Sequence, residues 1–374
     1  MTFLSPYADR FEKRANQFLR QFSKGSQVSR AVLHQLIQED LLRLSLWMEY
    51  KYKGYKKLRK WVRKRLYKRA DELRDEFREF LVKHRGQLQK KQVRLNLPDA
   101  LKKDPKMLTL LATMAFLKPG EHFSYRKGAA LEKMLQKPRK GLPEADCNQL
   151  TTMYIALFAT QHPVTDLNIK LLPEHVCIHY NGIDVETTSG NLADYKDYTS
   201  IGPVEEILAT NLLDVPDPKG RRYKPSAQNL IQSANLAFQF SSHRKTVEKN
   251  LKIAYHNLTI QFLKNHSFKA ALQAAKKSSQ PDLEKHVVQS EAWYYLKKNN
   301  LARAERLFRR VDDKEGLKAC VQQELNLNLD KIKNCKTLAD YKKHKSTIKK
   351  VLELSKKTKS HRVEEFARKI LKEI

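Results

Sequence analysis

The sequence predicts a mainly helical α+β protein in three parts: basic N-terminal helices over residues 1–97, a small mixed α/β domain over 98–224, and a helical repeat region over 225–374. Three observations carry this reading. Glycine and proline are scarce on both flanks and gather in the middle, apolar residues recur at three- and four-residue spacing on the flanks, and short β-type runs bounded by turn residues occupy the centre. A chain of 374 residues has room for two or three such domains.

The first part is read as helical from Leu33, Leu36, Ile37, Leu41, Leu44 and Met48. Residues 51–69, KYKGYKKLRKWVRKRLYKR, continue as a basic amphipathic helix, with Tyr52, Tyr55, Leu58, Val62, Leu66 and Tyr67 among lysines and arginines. Acidic residues over 71–79 offer local salt bridges. The formal net charge is +32, a field that attracts polyanions such as nucleic acid, anionic lipid or acidic proteins. Basic residues among aromatics can grip phosphates and stack on bases. The same aromatics also sit at core-facing spacing, which assigns them to packing.

In the middle part, LLATMAFLKPG from Leu110 reads as a helix ended by Pro119 and Gly120, and CNQLTTMYIALFATQ from Cys147 as a second helix, ended by His162 and Pro163. HVCIHY and IDVETT flank Asn181-Gly182, the pattern of a β-hairpin. In the third part, LKNHSFKAALQAA from Leu263 aligns with LKKNNLARAERLF from Leu296, 33 residues on. In both a bulky residue (Phe268, Leu301) opens a helix, and Ala271 and Ala304 fall where two helices approach closely. That pattern is similar to tetratricopeptide repeats, whose surfaces bind peptides or partner proteins.

No apolar run nears the ~20 residues that span a bilayer, and the start, MTFLSPYADRFEKRANQF, turns charged before a signal-peptide core could form. A cytoplasmic location without a transmembrane segment is expected. Cys147, Cys177, Cys320 and Cys335 show no CxxC spacing and are expected to be reduced. Glycine-rich phosphate loops and GxSxG are absent, so no cofactor, nucleotide chemistry or serine hydrolase chemistry is expected.

One constellation points to chemistry. Cys147 begins a helix, where backbone N–H groups and the helix dipole favour a thiolate. His175 begins the first strand of the hairpin and Glu186 lies in the second, so orienting acid, base and nucleophile can line up. Alternation puts Cys177 and His179 on the same strand face as His175, and Glu144, Asp146 and Asp184 are further candidates for the acid. Asp146 beside Cys147 opposes a thiolate unless it caps the helix. A metal site from His175, Cys177 and His179 lacks a fourth ligand, and none is expected.

Cysteine at a helix start, histidine on a strand and an acid on the next strand resembles the transglutaminase-like superfamily, a papain-like fold. The family's valine-aspartate-proline-threonine segment is met here by Val185-Glu186-Thr187-Thr188, with glutamate in place of aspartate. Gly141-Leu142-Pro143 and Pro173-Glu174-His175 are similar to motifs of a bacterial branch that carries tetratricopeptide-like helices after the catalytic domain. The resemblance implies a thioester on Cys147, proton shuttling by His175 and tautomer control by Glu186, with transfer of the acyl group to an amine or to water. It equally allows a scaffold without catalysis that binds partners through its repeats. A nucleic-acid or anionic-surface binder driven by the basic helices is the third class.

Overall fold

Three helices open the chain, α1 (Arg10–Gln21), α2 (Gln27–Lys51) and α3 (Lys60–Arg94), in a computed structural model that describes residues 5–22, 27–138, 140–214 and 226–374. Local capping sets their starts. The Asp9 carboxylate accepts the Glu12 N–H at 2.9 Å, closing the open N-terminus of α1. Helix α2 is broken at Asp40, whose carboxylate accepts the Arg43 N–H at 3.0 Å, so the helix restarts from an internal cap.

The single basic helix expected over 51–69 is not continuous. Residues 52–59 form a turn between α2 and α3, and Gly54 adopts φ +72°, a left-handed backbone that other residues resist. A Cβ on Gly54 would also lie 2.5 Å from the Asn229 side chain. Of the residues expected to face the core, Tyr55, Leu58, Val62, Leu66 and Tyr67 are buried and Tyr52 is half-buried.

A buried ion pair joins α1 to α3. Arg63 and Glu12 are both fully inaccessible, with Nε to Oε1 at 2.6 Å and a second contact at 3.0 Å. Glu12 also accepts the Ala8 N–H at 2.6 Å and the Tyr67 hydroxyl, while Arg63 donates to the Pro6 carbonyl at 2.9 Å and lies over the Tyr50 ring at 4.2 Å. Every charge here is met by hydrogen bonds, the condition on which a buried ion pair is tolerated.

The mixed region follows. Asp104 caps α4 (Pro105–Phe116), and a two-stranded parallel pair, β1 (Ser124–Tyr125) with β2 (Glu144–Ala145), brackets the short α5 (Leu131–Leu135). Helix α6 (Cys147–Phe158) leads to a five-stranded antiparallel sheet of β3 (Asn168–Leu172), β4 (His175–Tyr180), β5 (Ile183–Glu186), β6 (Asn191–Ala193) and β7 (Ser200–Pro203), in the order β6-β5-β4-β3-β7. The β4–β5 hairpin turns through Asn181 (φ 46°) and Gly182 (φ 82°), the paired positive dihedrals of a two-residue turn. Two helices, α7 (Glu206–Leu213) and α8 (Ala227–Phe240), close this part.

One hydrophobic core runs from Ala8 to Val247, so residues assigned from sequence to the 1–97 and 98–224 parts share it. The expected 224/225 boundary lies outside the described residues. By contacts the chain divides into Met1–Leu251 and Lys252–Ile374.

After α9 (Arg244–Lys264), the second unit is wholly helical: α10 (Phe268–Ser278), α11 (Pro281–Lys297), α12 (Leu301–Arg310), α13 (Lys314–Ile332), α14 (Leu338–Lys343), α15 (Lys345–Thr358) and α16 (His361–Glu373). Ala271 and Ala304 are fully buried. His266 and Asn299 are left-handed, as are Ser279 and Asp312, so each pair recurs at the 33-residue offset of the sequence alignment.

Removing one partner of a buried ion pair costs about 3–5 kcal/mol, so Arg63→Met should destabilise the first unit by that order in urea unfolding. Arg63→Met with Glu12→Leu should recover most of the loss. A single variant as stable as wild type would show that the pair does not hold α1 to α3.

Candidate active site

Helix α6 is apolar around nearly its whole circumference, with every residue except Asn148 buried. Its first turn therefore takes its hydrogen bonds from protein. The Asp146 carboxylate accepts the N–H groups of Asn148 (3.0 Å) and Gln149 (3.4 Å), and that of Gly128 across the loop (3.1 Å). Gln149 completes a capping box by accepting the Asp146 N–H at 3.2 Å. The Asp146 side chain thus turns to the backbone, and burial, with the nearby Asp214 charge, pushes its pKa up to about 7. Cys147 is fixed at the first helical position, largely buried at 8 % exposure.

Strand register brings the other two groups to it. β4 and β5 pair His179 with Asp184. His175 therefore reaches Glu186 along a diagonal of the same face, with Nε2 to Oε2 at 2.6 Å. Hydrogen bonding to Cys147, then to Glu186, pushes the imidazole up to about 10. Burial works against ionisation of Glu186, yet hydrogen bonds hold its carboxyl down at about 2. Those bonds come from His175, from the Thr188 N–H (2.9 Å) and hydroxyl (2.5 Å), and from the Tyr195 hydroxyl (2.7 Å).

The remaining sequence candidates lie in other roles. His179 Nδ1 meets Asp184 Oδ1 at 2.7 Å, and Asp184 Oδ2 accepts Lys170 Nζ at 2.6 Å and the Tyr195 N–H at 2.8 Å. Lys170 and Asp184 are buried, so this second pair is closed by its own lysine. Glu144 bonds Arg126 at the surface. Cys177 is fully buried and burial pushes its thiol up to about 12; Cys320, also buried, is pushed up to about 11. Cys335 is half-buried in the second unit. No group of three or more metal-binding side chains occurs among the described residues.

Sequence reasoning missed Tyr195, which ties both acid–histidine pairs through its N–H and its hydroxyl. It also missed Lys170. Thr188 was within reach, because a hydroxyl two residues after an acid is a common local hydrogen-bonding pattern. A cavity of about 600 Å³ opens beside the thiol and imidazole, with Asn148, Thr199, Thr210 and Asp214 among its lining residues.

The two ionisations have opposite pH signatures. The pairing of His175, raised from 6.5 to about 10, is fully present below the ordinary value and lost as pH rises through 10. That of Glu186, lowered from 4.5 to about 2, is present above 4.5 and lost as pH falls through 2. In a histidine NMR titration, Glu186→Gln should bring the His175 transition down from about 10; an unmoved His175 would refute the pairing.

Comparison of the chain with protein-family models, curated proteins and solved structures returns no match.

Proposed function

We propose that the chain is a cysteine-dependent enzyme of transglutaminase-like type, carrying out acyl transfer or amide hydrolysis on a protein or peptide substrate. The observation that carries this reading is that Cys147 and His175 line one cavity while Glu186 holds the imidazole at 2.6 Å from behind. The order of the residues and the elements that bear them support it further: thiol at a helix start, imidazole at a strand start, acid on the adjacent antiparallel strand.

In this mechanism the Cys147 thiolate attacks the carbonyl carbon of a side-chain or backbone amide, with the N-terminus of α6 directed at the developing negative charge. His175 gives its proton to the departing amine, and a thioester remains on Cys147. Water or a second amine then attacks the thioester; His175 takes the attacker's proton and the thiolate leaves. Glu186 holds the tautomer of the imidazole, and its own hydrogen bonds prevent it from turning away. The helices over 252–374 would act as tetratricopeptide-like repeats that select the protein substrate, supported by the 33-residue recurrence of left-handed turns and buried alanines.

The test is alkylation of Cys147 by iodoacetamide across pH, read by mass spectrometry. Cys147 should be alkylated well ahead of Cys177 and Cys320, whose thiols burial pushes up. His175→Ala should slow that reaction by at least about tenfold, since a positioned base commonly contributes 10²–10⁴. An inert Cys147, or one indifferent to His175, would replace the enzyme with a scaffold that binds partners through its helices.

A further inference from the structure

The first turns of α3 carry a feature that neither the core nor the cysteine site uses. Trp61 is 61 % exposed, whereas Trp47 in the same unit is 2 % exposed. Around it, Lys56, Lys57, Arg59, Lys64, Arg65 and Lys68 are exposed and form no ion pair with any described residue. The next turns of the same helix are different: Arg69 bonds Glu72 and Glu76, Arg74 bonds Asp71, and Arg78 bonds Asp75. Charge is neutralised over residues 69–78 and left open at these exposed cations over residues 56–68.

The geometry arranges these groups as a strip. Trp61, Lys64, Arg65 and Lys68 recur at three- and four-residue spacing along α3, so they share one face. The Arg65 guanidinium lies 5.6 Å from the Trp61 ring centroid. Beside the ring is a shallow hollow of about 360 Å³ whose lining includes Lys56, Lys57, Arg59 and Arg65; Glu132, the one acid among the described lining residues, is itself buried.

We propose that this strip binds single-stranded nucleic acid, with phosphates on the lysines and arginines and a base stacked on Trp61. An indole face left open to solvent beside guanidinium groups suits an unpaired base. An anionic membrane suits it less, because surface-bound helices lay an apolar face into lipid. Here Leu58, Val62 and Leu66 are turned into the core, which leaves Trp61 as the one exposed large apolar side chain between residues 56 and 68. This function is independent of Cys147 and stands or falls separately from the enzyme.

Fluorescence anisotropy of labelled 20-nucleotide oligo(dT) and oligo(U) with the full chain tests it. Because Trp61 is exposed, Trp61→Ala should fold normally; it should weaken binding by roughly tenfold or more, and Trp61→Phe should restore most of the affinity. Lys64→Gln with Lys68→Gln should flatten the log–log salt dependence by roughly 1.4, two phosphates at about 0.7 each for a single strand. Different affinities for dT and U would assign the sugar that the strip prefers, and equal affinities a strip blind to the 2′-hydroxyl; either supports it. The proposal is overturned if Trp61→Ala binds both oligonucleotides like wild type. It is equally overturned if only phosphatidylserine vesicles are bound in a Trp61-dependent way.

Discussion

A helix without a face to water has to be enclosed, and the first unit is organised around that requirement in α6. Leu150, Met153, Tyr154, Ile155, Leu157 and Phe158 are all buried, each contributing about 1.5–3 kcal/mol of burial. With water excluded, each unmet N–H at the helix start would cost roughly 1–3 kcal/mol. Asp146 and Gln149 meet them from within the chain. The cap and the thiol are adjacent residues, so the constraint that satisfies the helix end also fixes the sulfur. The β4–β5 hairpin then delivers His175 and Glu186 to that fixed point.

The same interior shows how acids are used in a chain of +32. Glu12 faces Arg63, Asp184 faces Lys170 and His179, and Glu186 faces His175, all in buried or partly buried pairs. Glu12 and Asp184 each take one full cation inward with them, so these pairs leave the excess of positive charge unchanged, and that excess sits on solvated faces.

Much of this was legible because local rules decided it. Asn181-Gly182 names its own turn, Cys147 follows a capping residue, and the three- and four-residue spacing of α2 and α3 marks residues that go inside, Leu33, Ile37, Leu66 and Tyr67 among them. Three things were not legible. Strand β3, the sheet's partner to β4, carries Lys170, whose burial is possible only because Asp184 and the Tyr195 carbonyl, both distant in sequence, receive it. The break at residues 52–59 hinges on Gly54, and one glycine in a helical pattern does not by itself announce a turn. His175 and His179 share a strand face and each finds an acid; only the placement of α6 decides which of them meets a thiol, and that is a tertiary fact.

The recurrence of left-handed residues at His266 and Asn299, and again at Ser279 and Asp312, has a consequence for how such a chain can evolve. Within the second unit the 33-residue offset relates two helical hairpins whose turns share the same backbone, so a segment exchanged between them would meet matching chain at both of its ends; the next left-handed residue, Lys359, falls outside that interval.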